Sequence, residues 1–168
     1  MTSRRGVEDA AFSEDFRDFI DVLRTHHVDA VLVGGYALGV HGVIRATGDM
    51  DFLYRRTRKN VERLVAAMNE FGAPAEVVDA DALMAADSVS QFGEPPHRID
   101  LLSGIDGVTY AEVSRGAVTA KIGGRALRVI GLAELMKNKA ATGREKDEDD
   151  LRRLRARTRQ SGSRKRRS

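Results

Sequence analysis

The sequence predicts an α/β (α+β) fold, a small mixed β-sheet packed by helices with further helices at the C-terminal end. Three patterns carry that expectation. Apolar residues recur at spacings of three and four in Phe12, Phe16, Phe19, Ile20, Leu23 and again in Val61, Leu64, Val65, Met68, Phe71, which marks two packing helices. A short β-branched run, Ala30 to Val33, stops at Gly34-Gly35, and Asp49-Met50-Asp51-Phe52 alternates with the period of a strand. Val118, Ala120, Ile122 and then Leu127, Val129 alternate on either side of Gly123-Gly124, the signature of a hairpin.

In chain order, the first helix covers the Phe12 to Leu23 face and is followed by the buried strand Ala30–Val33. A second helix begins at the glycines and runs to about His41. The Asp49 strand places Met50 and Phe52 inward and both aspartates on the opposite face. The helix that carries Val61 to Phe71 ends at Gly72 and Pro74. A strand is expected near Glu76 to Val78, a short helix over Ala80 to Ala86, and a strand pair at Val89–Phe92 and Arg98–Leu102, interrupted by Gly93 and Pro95-Pro96. After the hairpin, Leu132, Leu135 and Met136 open a helix that Gly143 ends or kinks. A last helix from about Glu145 has acids in its first turns and arginines toward its end, the polarity the helix dipole favours.

At 168 residues the chain is long enough for one domain with a real core, and it contains no cysteine. That composition excludes a disulfide framework, a thiolate zinc site and a cysteine nucleophile, and it fits a reducing cytoplasm. No segment approaches the ~20 apolar residues of a membrane span. Arg4 and Arg5 lead into acidic, amphipathic sequence rather than an apolar stretch, so a soluble, unprocessed, cytoplasmic protein with no membrane partner is expected.

The formal charge of +3 is placed unevenly. Nine Arg or Lys residues and no acid lie between Arg152 and Ser168, which leaves 19 basic against 25 acidic residues over Met1 to Leu151, a net of about −6. The domain body is therefore assigned to residues 1–157 and a basic tail to 158–168. The tail has too little apolar surface to offset its ordering entropy, so disorder is expected there. It reads either as a solvated extension or as a non-specific attractor of RNA or DNA phosphates.

Two aspartates one residue apart on a strand project the same way, roughly 6–7 Å apart at Cα, and their carboxylates can converge on a magnesium pair. Asp100, in Arg98-Ile99-Asp100-Leu101-Leu102, is the candidate third carboxylate, because Ile99 and Leu101 face the core. Gly34 and Gly35 lie where a strand hands over to a helix, a place suited to a phosphate and intolerant of side chains. A double glycine alone also marks a tight turn, and a lone Asp-x-Asp also marks an exposed strand end. Their order and spacing sharpen the signal.

Val33-Gly34-Gly35, thirteen intervening residues and Asp49-Met50-Asp51-Phe52 together resemble the signature of the polymerase-beta-type nucleotidyltransferase superfamily. The run Gly34-Gly35-Tyr36-Ala37 through Arg45-Ala46-Thr47-Gly48-Asp49-Met50-Asp51 is similar to small bacterial nucleotidyltransferase-like proteins, including the group that contains abortive-infection-type toxins. Asn138-Lys139 through Arg144-Glu145-Lys146-Asp147 to Asp150-Leu151 resembles their C-terminal motif. The resemblance implies that Asp49 and Asp51 bind two magnesium ions and that Asp100 binds one and helps to activate the attacking hydroxyl. It further implies that Gly34, Gly35, Arg45, Thr47 and Lys139 meet the nucleoside triphosphate, with Lys146, Asp147 and Asp150 lining or buttressing the site.

On that resemblance, residues 1–157 form a nucleotidyltransferase-like domain that moves a nucleoside monophosphate to an RNA 3′ end, a protein hydroxyl or a small molecule. A toxin role with a separate antitoxin is a further implication of the same group. Two other readings stand beside it: a non-catalytic nucleotide-binding or regulatory module on the same fold, and an RNA-binding protein led by its arginine tail. For Lys146 and Asp150, spaced as a helical ion pair, for Asp147 as a helix-start residue, and for Tyr36 and His41, structural roles are equally open.

Overall fold

Residues 12–167 are described by the computed structural model, so the reading of the N-terminus as unprocessed lies outside the described residues. In order the elements are α1 (Glu14–Thr25), β1 (Ala30–Val33), α2 (Gly34–Val40), β2 (Asp49–Tyr54), α3 (Arg58–Phe71), a 3-10 turn (Ala75–Val77), α4 (Ala80–Met84), β3 (Val89–Phe92), β4 (Arg98–Leu102), α5 (Tyr110–Gly116), β5 (Val118–Ile122), β6 (Arg125–Val129), α6 (Leu132–Thr142) and α7 (Glu145–Lys165). The strands form one sheet in the order β3-β4-β2-β1-β6-β5. It is mixed: β2 runs parallel to β4, β1 runs parallel to β6, and the remaining neighbours are antiparallel.

The core lies where the apolar stripes of α1 and α3 meet one face of this sheet. Phe16, Phe19, Ile20 and Leu23 of α1 are buried, as are Val61, Leu64 and Met68 of α3. Phe19 is the hub, with ring centroids 5.8 Å from Phe52 on β2, 5.2 Å from Phe71 on α3 and 5.5 Å from Phe92 on β3. Burying a side chain of this size contributes about 1.5–3 kcal/mol. Buried Asn60 ties the layers together: its side chain accepts from the Asp29 N–H at 2.7 Å and donates to the carbonyls of Asp29 at 3.0 Å and Arg55 at 2.8 Å.

Alternation along β2 then decides where chemistry can occur. Met50 and Phe52 enter the core, which leaves Asp49 and Asp51 half-buried on the opposite face. Beyond them the alternation stops, because Leu53 and Tyr54 are both buried and the Tyr54 hydroxyl donates to the Leu83 carbonyl at 2.7 Å.

Three local expectations need correction. The segment near Glu76 to Val78 is a 3-10 turn rather than a strand, since Val77 and Val78 N–H groups bond back to Pro74 and Ala75 and take no partner strand. Helix α5 was not anticipated; Thr109 and Glu112 form a capping box that starts it. The tail expected to be disordered is helical as far as Lys165. A helix nucleated and anchored by Leu151 and Leu154 is continued past its last buried turn, although the described residues beyond Leu154 are exposed and include Thr158, Ser161, Gly162 and Ser163. No helix among the described residues is long and apolar enough to cross a membrane.

Candidate active site

Parallel pairing of β2 with β4 aligns Asp51 with Asp100 and Asp49 with Arg98. Ile99 and Leu101 are buried in the core, so Asp100 emerges on the same face as the β2 acids. Antiparallel pairing of β3 with β4 sets Gln91 opposite Asp100; its Nε2 donates to Asp100 Oδ1 at 2.8 Å, and Arg98 Nη1 donates to Gln91 Oε1 at 2.9 Å. Gln91 and Arg98 thus fix one oxygen of Asp100. Neither was singled out in the sequence, where the only signal is their register in a strand pair.

Burial, a hydrogen bond with Asp100 and the charges of Asp100 and Asp49 push Asp51 up to about 7, against a smaller opposing effect of Lys139. Near neutral pH Asp51 therefore still holds its proton in part. Tyr36 lies on the Asp49 side: burial, then the Asp49 charge, raises its hydroxyl pKa. Its ring packs edge-on against Phe12 and Phe16, at 5.7 and 5.8 Å. His41 is occupied structurally, bonding through Nε2 with the Ile130 carbonyl at 2.7 Å.

The two glycines close over these acids. A Cβ on Gly34 would lie 2.1 Å from Asp51 Oδ2, and Gly34 has φ +72°, so both space and backbone demand glycine. A Cβ on Gly35 would lie 2.7 Å from Thr47 Oγ1, which itself donates to the Asp49 carbonyl at 3.3 Å. The β1–α2 turn, Thr47 and the acidic strand are in direct contact.

A second polar cluster joins α6 and α7. Lys139, Asp147 and Asp150 are only 5%, 3% and 1% exposed. Lys139 Nζ lies 2.7 Å from Asp147 Oδ1 and 3.1 Å from Asp150 Oδ2, while Arg45 Nε lies 3.1 Å from Asp150 Oδ1. Thr142 Oγ1 and Arg144 Nε each donate to Asp147 Oδ2 at 2.7 Å. Burial raises the proton affinity of Asp147, but Lys139, Thr142 and Arg144 outweigh it and hold its carboxyl at about 2. The contacts to Asp150 are weaker in kind: Asp150 Oδ2 and Arg45 Nε are buried and within ion-pair range, yet neither completes an aligned hydrogen bond. Lys139→Met would strand two buried carboxylates, and a loss of about 3–5 kcal/mol is expected from the denaturation midpoint. Lys146, by contrast, is exposed on the first turn of α7, and Lys146→Met should change stability by less than about 0.5 kcal/mol.

The structure thus gathers Gly34, Gly35, Thr47, Asp49, Asp51 and Asp100 at the sheet, and Arg45, Lys139, Asp147 and Asp150 beside them, the two groups linked by the effect of Lys139 on Asp51. Lys146 joins neither. The three acids at the sheet offer hard carboxylate oxygens, the type magnesium prefers, and a proton retained by Asp51 marks a surplus of negative charge that a cation would relieve. Among the described residues no group of three acidic or histidine side chains is placed to hold an ion, and magnesium at such a site takes one or two carboxylates together with substrate phosphates.

The family described as "Nucleotidyl transferase of unknown function (DUF2204)" matches residues 12–166, a span that includes both clusters and all of α7. The fold resembles that of the lincosamide antibiotic adenylyltransferase LnuA in its lincomycin-bound form, with a TM-score of 0.59 at 14% identity, covering 86% of this chain and 96% of that one. It also resembles the antibiotic-resistance factor ANT(2'')-Ia, with a TM-score of 0.50 at 13% identity, covering 89% of this chain and 91% of that one. At such identities the likeness establishes the fold. No curated protein matches the chain by sequence.

Proposed function

Since the chain belongs to the family of nucleotidyl transferases of unknown function, we propose that it transfers a nucleoside monophosphate from a nucleoside triphosphate to a hydroxyl acceptor, with Asp49, Asp51 and Asp100 binding magnesium. The observation that carries this reading is the register that sets Asp51 against Asp100 on neighbouring parallel strands, directly beneath Gly34. Bound there, magnesium would neutralise the phosphates and stabilise the charge that develops during transfer.

The remaining roles belong to the chain itself. Gly34 and Gly35 leave room for the triphosphate to approach the backbone beside the acids. Thr47, Arg45 and Lys139 border that space, and a phosphate would compete with Asp150 and Asp147 for the two cations. Asp100, oriented by Gln91, accepts the proton of the acceptor hydroxyl. The hydroxyl oxygen bonds to the α-phosphorus, the bond from that phosphorus to the β-phosphate oxygen breaks, and pyrophosphate leaves. Asp147 and Asp150 buttress Lys139; an exposed Lys146 meets the nucleotide only through movement of its long side chain.

The acceptor class is open to a direct screen. The adenylyltransferase fold of LnuA, with lincomycin bound, favours ATP and a small hydroxylated molecule; the resemblance to abortive-infection-type proteins favours RNA or protein, a toxin role and a partner antitoxin in the cytoplasm. α-Labelled ATP, CTP, GTP and UTP, each with magnesium, would be offered to total RNA, to cell protein and to hydroxylated antibiotics. Label passed to one acceptor by the natural chain and not by Asp49→Ala is the expected result. No transfer to any of them, together with no magnesium-dependent nucleotide binding, would leave a non-catalytic module as the better reading.

A further inference from the structure

We propose that α7 from Arg152 onward, with Arg166 at its C-terminal cap, is an RNA-binding surface that engages phosphates along an arginine stripe. Arg152, Arg155, Arg159 and Arg166 follow one another at helical spacings of three, four and seven, and all four are exposed. The spacing keeps them on one face, and the stripe extends roughly 21 Å at the rise of a helix. Arg152 Nη2 also donates to Asp149 Oδ1 at 3.0 Å, an exposed contact that holds it only weakly.

What makes this stretch unusual is its cost as an isolated helix. Between Arg152 and Ser168 there are nine cations and no acid, so like charges such as Arg155 and Arg159 face each other one turn apart with no Glu or Asp to interleave. Among the described residues beyond Leu154 none is buried, and packing against the body is limited to contacts such as that of the Arg157 guanidinium with Gly42. A polyanion would offset the repulsion. The body is net acidic as a whole, with 19 basic against 25 acidic residues over Met1 to Leu151, and its one dense basic run is the short segment Arg55-Arg56-Thr57-Arg58-Lys59. The longest acid-free basic stretch is therefore this helix.

The chemistry of the stripe selects among polyanions. After Leu154 the helix has Ala156 as its only apolar residue, which leaves no face to insert into a lipid headgroup layer. No aromatic residue follows Tyr110, so there is no platform for stacking bases, and recognition has to run through phosphates. Arginine-rich segments are a recurrent means of RNA recognition. A stretch of RNA backbone a few nucleotides long matches the stripe in length and in charge.

This inference concerns a surface rather than the transfer reaction, and its test contains no nucleoside triphosphate. Binding of a labelled 20-nucleotide RNA would be measured by anisotropy across 50–200 mM salt with the full chain and with the variant Arg155→Gln/Arg159→Gln/Arg166→Gln, and helix content would be followed by circular dichroism. The expected natural slope of log K against log salt is about −3, from about four phosphates at ~0.7 each. The triple variant should show a slope shallower by about 2 and at least ~10-fold weaker binding at low salt. Its denaturation midpoint and helix content should equal those of the natural chain. Binding or slope unchanged in the variant would overturn the proposal, as would a preference for DNA of the same sequence.

Discussion

Asp51→Asn is expected to abolish nucleotidyl transfer and to make the metal-free protein more stable at pH 8 than the natural chain. The two effects share one cause. Asp51 is raised from 3.8 to about 7 by burial and by the acids around it, so the folded protein holds a proton there that the unfolded chain releases. Between roughly pH 4 and pH 7 the folded state binds more protons than the unfolded state, and stability falls as pH rises through that window. Above it the charged carboxylate costs its full penalty, on the order of 4 kcal/mol. Asparagine retains the size and removes the charge. Denaturant midpoints measured in chelator should therefore diverge between pH 5 and pH 8, the variant keeping stability that the natural chain loses. With Asp51 in its proposed role as a cation ligand, transfer should drop by a factor of roughly 10³. A variant less stable than the natural chain at pH 8 would count against this picture of a site strained by its own charge.

Gly34→Ala should produce the largest loss from a single added methyl group. Its Cβ would collide with Asp51 Oδ2 at 2.1 Å in a backbone at φ +72°, a region that costs an L-residue about 1–2 kcal/mol before any collision. Relief requires either the turn or the carboxylate to move. A total destabilisation of about 2–4 kcal/mol and a fall in transfer of at least ~10²-fold are expected. Gly39→Ala, five residues along on the same helix, is the contrast: nothing lies within 4 Å of its added Cβ and its φ is not positive. That change should leave transfer intact and stabilise the fold by up to about 0.5–1 kcal/mol. Equal behaviour of the two variants would remove Gly34 from the site.

The parts of this fold that were legible in the sequence are those in which periodicity and burial coincide. Phe16, Phe19 and Ile20 announce α1 because one stripe faces one core, and Met50 and Phe52 announce the buried face of β2 and with it the exposed face of the acids. Asp100 was legible for the same reason, between buried Ile99 and Leu101. The register that sets it beside Asp51 was not, because pairing between distant strands leaves no mark in either one. Gln91 was hidden likewise: its bond to Asp100 depends on a hairpin alignment in an exposed, polar strand. The 3-10 turn at Ala75–Val77 looked like a strand because three residues are too few for a period to declare itself. Helix α5 had a local signal, Thr109 followed at the third position by Glu112, without the long apolar stripe that makes a helix conspicuous. The helical tail misled in another way, since composition reports the absence of burial and is silent on a helix continued from an anchored turn.

The central claim is that the carboxylates of β2 and β4 form a cation-dependent nucleotide site, and calorimetric titration of a nucleoside triphosphate tests it most directly. Binding would be compared with and without magnesium, for the natural chain and for Asp51→Asn. The account predicts binding by the natural chain that requires magnesium and is lost in the variant. Nucleotide binding that is indifferent to magnesium, or that survives unchanged in Asp51→Asn, would contradict it.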